Sequence, residues 1–245
     1  MVFPLEAPTL GVIGGMGPLA TVAFLRALTL ETAADRDQDH LHVLVDSDPT
    51  IPDRTAFLLG AGPDPRPALI RAARRLEQAG ATFLVMPCNT ATVFAGDIAR
   101  AVCVPLLPWI GIAAAAAGSG QRVGLLATDG TLAAGKYQAA INAHGSSVVL
   151  SAPDDQLIVT DVVYGPRGVK ATGGVTPEGR AGLLAVAARL AAAGADCLLL
   201  ACTELPLAIP ADDPAWPVPA IDPAVEVARH AIQLAGRAVR GQVLT

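Results

Sequence analysis

The chain has little charge, almost no lysine, and no stretch of apolar residues long enough to cross a bilayer. Asp, Glu, Lys and Arg make up 16% of its 245 residues against 52% hydrophobic ones. That balance excludes a solvated, disordered chain and leaves ample material for buried cores. The net charge is −5 and no run of basic residues is present, which excludes nucleic acid and an anionic membrane surface as expected partners. An acidic small molecule would need specific cationic anchors. The most apolar stretch, Val104 to Ala117, is interrupted by Pro108 and Gly111 and falls short of the roughly 20 residues a membrane span requires; it reads as a buried strand running into a helix. Met1 to Pro8 has no basic region and contains Glu6, so a secretory signal is not expected and a cytoplasmic location is.

The usual marks of cofactor sites are missing too. His40, His42, His144 and His230 have no metal-ligand spacing, and the pairs Asp46/Asp48 and Asp154/Asp155 suit solvated turns. The glycine-rich turn Gly14-Gly15-Met16-Gly17 has Leu19 where a dinucleotide motif needs a further glycine, and no Walker lysine follows. The only lysines are Lys136 and Lys170, neither set in a phosphate-binding context, which disfavours pyridoxal phosphate. No CxxC pair occurs, so Cys88, Cys103, Cys197 and Cys202 read as free thiols of a reducing compartment. No metal and no cofactor are expected.

What is present is a duplication. Adding 114 to Arg75, Leu76, Ala79, Gly80, Ala81, Leu84 and Cys88 gives Arg189, Leu190, Ala193, Gly194, Ala195, Leu198 and Cys202. The same offset carries Val104-Pro105 onto Val218-Pro219, and an offset of 113 carries Gly11, Gly17, Leu19 and Ala20 onto Gly124, Gly130, Leu132 and Ala133. A period this long is not that of a solenoid, whose units run to roughly 20–50 residues. Two similar domains are expected, as the length also suggests, with boundaries at 1–112, 113–221, and a segment 222–245 packing back on the first.

Short apolar runs at Thr9 to Ile13, His42 to Val45, Phe83 to Met86, Arg122 to Leu126, Ser147 to Leu150 and Cys197 to Leu200 read as strands buried on both faces. Between them lie helical patterns, such as Leu69, Ala72, Ala73, Leu76 and Ala79 with Arg71, Arg74, Arg75 and Glu77 facing water. Alternating strands and helices indicate α/β domains with parallel sheets. Pro63, Pro65 and Pro67 start one helix, and Thr176-Pro177-Glu178 starts another as N-cap, N1 proline and first-turn acid. Gly80 and Gly194 close helices at the C′ position. Cys88 and Cys202 then fall at the carboxyl ends of strands, where open parallel sheets bind ligands.

Each of these cysteines stands where an apolar strand gives way to polar groups, in Pro87-Cys88-Asn89-Thr90 and Ala201-Cys202-Thr203-Glu204. A buried, inert thiol is the ordinary alternative and suits Cys103 and Cys197, which lie in apolar runs; a redox disulfide between the matched pair is a second alternative. Two thiols matched across duplicated domains suit a task with two sides, removal of a proton from one face of a carbon and its return on the other. A thiol's ordinary pKa is roughly 8.5, so a modest depression leaves one as thiolate base while the other stays a protonated acid. The developing enediolate needs cations and backbone N–H groups, and the amides of Gly14 to Gly17 form a candidate anion nest. Arg54, in the proline-fixed loop Asp48 to Thr55, could clamp a carboxylate bidentately, or could pair with Asp53 or Asp48 to hold the loop. Lys170, in the glycine-bounded loop Tyr164 to Lys170, has either a specific role or a solvated one.

Taken together, Gly14-Gly15-Met16-Gly17-Pro18-Leu19-Ala20-Thr21, Ile51-Pro52-Asp53-Arg54-Thr55, Met86-Pro87-Cys88-Asn89-Thr90-Ala91 and Cys202-Thr203-Glu204 resemble the aspartate/glutamate racemase superfamily, nearest its aspartate racemase branch. Arg36-Asp37-Gln38, Asp64-Pro65-Arg66-Pro67, Gly124 to Thr128 and the loop ending at Lys170 extend the resemblance over nearly the whole chain. It implies two Rossmann-like or flavodoxin-like domains related by pseudo-twofold symmetry with the active site in the cleft between them, cofactor-independent catalysis and a homodimer. By the same resemblance Cys88 and Cys202 match the catalytic pair and Arg54 and Lys170 match the cations that hold the substrate's carboxylates. Met16, Asn89, Thr90, Thr128 and Thr203 match pocket-lining positions.

One position departs from the family. Its members commonly carry histidine two residues after Cys-Asn-Thr, and Thr92 stands here, which allows a slower reaction or a different substrate. Cys-Thr-Glu in place of Cys-Thr-His argues against the glutamate racemases of cell-wall synthesis. The expected activity is racemisation of aspartate or a close acidic analogue. Its rivals are an isomerase or decarboxylase on the same scaffold and a non-catalytic dicarboxylate binder.

Overall fold

The computed structural model describes residues 8–241. Residues 1–7, which make up most of the N-terminal stretch considered for a signal, and 242–245 lie outside them. The chain divides into two compact units: 8–57, 62–109 and 224–241 form the first, and Ile110–Pro223 with Leu58–Ala61 the second. Among the described residues no helix is long and apolar enough to cross a membrane.

In the first unit β1 (Thr9–Gly14), β2 (His42–Ser47) and β3 (Phe83–Val85) form a parallel sheet in the order β2-β1-β3. β1 is central and all six of its residues are buried. Parallel neighbours require crossover connections, and the helices Pro18–Glu31 and Arg66–Gln78 lie in them. The second helix buries Leu69, Ala72, Ala73 and Leu76 and exposes Arg71, Arg74 and Arg75, as its 3/4 spacing predicts, while Ala79 ends it in water as the C-cap. Phe24 and Trp109, both fully buried, pack with ring centroids 5.9 Å apart.

The second unit has β4 (Arg122–Ala127), β5 (Ser147–Leu150), β6 (Cys197–Ala201) and β7 (Ala220–Ile221) in the parallel order β5-β4-β6-β7. Side chains alternate across β4 and β6 with period two. Leu126, Leu198 and Leu200 pack on Val159, Val163, Leu183 and Val186 on one face; Val123, Leu125 and Leu199 pack on Ala113, Tyr137 and Ile141 on the other. Each leucine so buried stabilises the unit by about 1.5–3 kcal/mol relative to exposure. Both units are thus α/β with parallel sheets.

Two expectations change. β2 and β5 are edge strands whose His42, Val45, Ser47, Ser147 and Leu150 are exposed, not strands buried on both faces. The stretch from Val104 holds no full strand: Leu106 makes a single bridge to Leu84 before the helix Trp109–Ala116. Pro105 and Pro108 have no N–H to continue a ladder. The two-residue β7 was not anticipated.

The duplication is visible bond by bond. Leu84 N–H donates to the Pro105 carbonyl and Leu198 N–H to that of Pro219, each at 2.8 Å. Gly80 (φ 99°) and Gly194 (φ 92°) end their helices in the left-handed region that favours glycine. Gly11 and Gly124 admit the close approach of the Leu84 and Leu198 side chains; a Cβ would lie 2.5 and 2.8 Å from their methyl carbons. Thr176 caps the helix Pro177–Ala192, its hydroxyl accepting from Gly179 N at 3.0 Å.

The C-terminal segment belongs to the first unit. The helix Pro223–Leu234 carries Arg229, which pairs with Glu31 at 2.7 Å. Beyond it Thr32 and Val239 form an antiparallel bridge, and Arg240 donates its N–H to the Glu31 carbonyl and Nε to that of Leu30.

Candidate active site

In the first unit the candidate residues leave the carboxyl ends of three neighbouring strands. After β1 the chain turns at Gly15, whose φ of +91° and whose Cβ direction, 2.4–2.5 Å from Asp48 backbone atoms, exclude any side chain. Its N–H donates to Thr21 Oγ1 at 2.9 Å, so one amide of the anticipated anion nest is used within the loop. After β2, Asp48 Oδ1 accepts from Thr50 N and Oγ1, and Arg75 pairs with Asp46 at 2.7 Å and Asp48 at 3.5 Å. These bonds, Thr50's first, hold the Asp48 carboxyl below the usual carboxylate range. Asp53 Oδ1 accepts from Ala56 N, capping the short helix Arg54–Leu58.

That loop buries Arg54, which is 7% exposed. Nη1 donates to the carbonyls of Ile51 and Pro52 and Nη2 to that of Met16, at 3.0–3.2 Å. Arg54 and Met16, expected to share a site, are therefore bonded to each other. The three carbonyls orient a planar group suited to bidentate capture of a carboxylate.

After β3, Cys88 N–H donates to the Met86 carbonyl and the Cys88 carbonyl accepts from Thr92 N, which curls the chain into the 3-10 turn Ala91–Phe94. Asn89 Oδ1 accepts from the buried Trp109 indole at 2.8 Å. Thr92 Oγ1 donates to the Asn89 carbonyl at 2.6 Å. Thr92, the position at which the sequence departs from the resemblance, thus stabilises the turn. Cys88, Asn89, Thr90 and Thr92 are all buried.

In the second unit Ala127 and Ala201 are register partners at the ends of β4 and β6, so Thr128 and Cys202 leave the sheet side by side. Thr128 Oγ1 bonds Thr131 Oγ1 at 3.0 Å. Cys202 Sγ donates to Glu204 Oε2 at 3.2 Å, and Thr203 Oγ1 donates to the same oxygen at 3.1 Å. Glu204 Oε1 is 2.5 Å from Lys170 Nζ, which also lies 5.5 Å from the centre of the Tyr164 ring. Lys170 sits on the short helix Val169–Thr172, not in a loop, and keeps 24% of its side-chain exposure. Burial first, then the Glu204 charge, push the Cys202 thiol well above its ordinary value.

Of the other cysteines, Cys197 is buried in β6 and Cys103 is exposed, contrary to expectation. Glu77 Oε1 accepts from Cys103 N and Val104 N, holding that loop at the surface. Among the described residues no group of three or more His, Cys, Asp or Glu side chains could hold a metal ion. A groove of about 430 Å³ in the second unit, lined by Leu157, Arg167, Val175 and Glu178 among others, takes in none of the expected site residues. The polar strand ends, not this volume, hold the candidate chemistry. Glu204 is the residue that sequence reasoning left out of the site. Its signal was an acid two positions after a matched cysteine, where the other half has Thr90.

The model of the Asp/Glu/Hydantoin racemase family matches residues 13–231. The chain belongs to that family. It is similar in structure to an aspartate racemase of Picrophilus torridus, with a TM-score of 0.83 and 31% identity over 95% of this chain and 96% of that one. Among curated relatives it is 28% identical to a broad specificity amino-acid racemase, RacX, of Bacillus subtilis, over 57% of this chain and 63% of the relative. It is 35% identical to a glutamate racemase of Pseudomonas entomophila over 66% of this chain and 60% of the relative. The chain thus spans about three fifths of the length of these two curated relatives.

Proposed function

We propose that the protein is a cofactor-independent racemase of aspartate or a close acidic amino acid in which Cys88 and Cys202 are the two acid/base groups. The observation that carries this reading is the matched placement of two buried thiols at the carboxyl ends of β3 and β6, each set among polar side chains. One thiolate takes the α-proton, forming S–H as the C–H bond breaks. The electron pair left on carbon spreads into the adjacent carboxylate, and the other thiol returns a proton to that carbon. For the opposite enantiomer the roles reverse.

Arg54 and Lys170 hold the substrate's carboxylates and oppose the charge that develops on the enediolate. Met16, Asn89, Thr90, Thr128 and Thr203 line the pocket. The likeness to the P. torridus enzyme over nearly the full chain favours aspartate over glutamate. The protein works as a homodimer, which sedimentation velocity reads directly; a monomer would remove that part of the proposal.

The test is exchange of the α-hydrogen in deuterated water, followed by NMR with L- and D-aspartate and with both enantiomers of glutamate. Exchange and racemisation fastest with aspartate are expected. No exchange with any of the four removes the racemase reading, and thermal stabilisation by aspartate without exchange identifies a dicarboxylate binder.

A further inference from the structure

The two-thiol reaction leaves one buried ionisable side chain of the site without a task. Glu204 is 4% exposed, and a carboxylate so buried is costly unless its charge and lone pairs are answered. Here Oε1 is answered by Lys170 at 2.5 Å, and Oε2 accepts from Cys202 Sγ and Thr203 Oγ1. A carboxylate 3.2 Å from a sulfur stabilises the S–H that donates to it and opposes a second negative charge beside it. At the repeat-equivalent position beside Cys88, two residues on, Thr90 stands where Glu204 stands beside Cys202.

We propose that Glu204 is a positioning residue that holds the proton on Cys202 in the free protein and ties that thiol to Lys170, so that Cys202 enters the reaction as the acid and Cys88 as the base. The proposal rests on the two-thiol reading and assigns its resting state. During turnover the Cys88 thiolate takes the α-proton while the Cys202 S–H bond breaks and its proton goes to carbon. Negative charge then moves from Cys88 to Cys202, where Glu204 opposes it and Lys170 partly balances it. Glu204 and Lys170 are the charged groups that act on Cys202 Sγ, and burial acts in the same direction as Glu204.

The two forms of the free enzyme are therefore unequal. Enantiomers have equal free energies, so kcat/KM is the same in both directions whatever the protein does. The inequality shows in kcat and KM taken separately, one enantiomer having both values higher.

The test needs no turnover. Ultraviolet thiolate absorbance of the Cys88→Ser protein, less that of the Cys88→Ser/Cys202→Ser protein, isolates the titration of Cys202. Adding Glu204→Gln is expected to lower its midpoint by about one pH unit or more, as removal of a close like charge does. Glu204→Asp keeps the charge and retains a high midpoint, and Lys170→Met raises it. A midpoint unmoved or raised by Glu204→Gln overturns the proposal. If that variant is shown unfolded by circular dichroism, an unmoved or lowered midpoint in Lys170→Met overturns it instead. These shifts can appear in a protein that exchanges no α-hydrogen, so failure of the racemase reading is separable from failure of this one. In an active enzyme, Glu204→Gln draws the two kcat values together; values already equal in the unaltered protein also overturn the proposal.

Discussion

The two units carry their cysteines to the same place by the same means and then equip them differently. In each, a helix ends at a left-handed glycine, a strand crosses beside a glycine that lets a leucine in, and a proline carbonyl accepts the same strand bond. Beyond the strand ends the likeness stops. Cys88 is followed by amide and hydroxyl groups set by Trp109 and Thr92, and Cys202 by a carboxylate locked to a lysine. Arg75 and Arg189 are repeat partners, yet Arg75 holds Asp46 and Asp48 at the start of the loop that buries Arg54, and Arg189 grips Asp155 on the helix Pro153–Tyr164. Duplication reproduces what packs the sheet and leaves the strand-end loops free to diverge, because core residues answer to many neighbours and loop residues to few.

The sharpest break in the comparison is between the thiols. Cys88→Ser and Cys202→Ser are each expected to slow racemisation by about 10²–10⁴-fold, the usual worth of a general acid or base. Each should still exchange the α-hydrogen of one enantiomer with solvent, and not the same one, as NMR in deuterated water reads. Full racemisation by either variant would remove the two-thiol mechanism.

The next largest effect concerns the turns after β1 and β4. By the offset of 113, Gly15 corresponds to Thr128, which has φ −73°. Gly15→Val combines a φ of +91° with overlap on the Asp48 backbone and is expected to cost about 3 kcal/mol or more in denaturant unfolding. Thr128→Val, in an ordinary extended conformation, should cost much less. Equal costs would show that the two turns do not differ as described.

A smaller contrast separates the strand glycines. An added Cβ at Gly11 would lie 2.5 Å from Leu84 and 2.8 Å from Ala81, and one at Gly124 would lie 2.8 Å from Leu198 and 3.2 Å from Ala195. Gly11→Ala should therefore destabilise by about 2–3 kcal/mol and Gly124→Ala by about 1–2 kcal/mol. The helix caps come next: Thr176→Ala removes a side-chain cap and should cost about 1 kcal/mol. Its counterpart helix has Pro65 at that position with no side-chain cap bond to lose.

The least effect is in pH dependence. Cys202 binds its proton more tightly folded than unfolded. The stability this gives is present below the unfolded thiol value, about 8.5, and is lost as pH rises beyond it toward the higher folded value. Unfolding free energy measured from neutral to alkaline pH should fall less steeply in Cys202→Ser than in the unaltered protein. An identical slope would show that Cys202 is not so held.

Much of this was legible in the residues alone. The six strand runs, the helix starts at Pro65 to Pro67 and Thr176, and the two cysteines at strand ends follow from apolar spacing, capping chemistry and the offset of 114. What stayed hidden depends on tertiary neighbours. Whether a strand such as β2 or β5 lies at a sheet edge is not set by its own pattern, so His42 and Val45 read as buried. Cys103 precedes a run that joins the sheet by a single bridge, at Leu106, and so stays outside it. The partner of Glu204 lies 34 residues away, on a four-residue helix no periodicity marks. Its position is fixed by the fold around Val169, whose side chain is buried in the core of its unit.

The return of residues 224–241 to the first unit reverses order in time. A ribosome has made the whole of the second unit when it reaches Pro223, whereas the first, begun earlier, still waits for the helix Pro223–Leu234 and for Arg240 to reach Leu30 and Glu31. The half that is translated first is therefore completed last, and until then the C-terminal end of Pro18–Glu31 lacks the partners it has in Arg229 and Arg240.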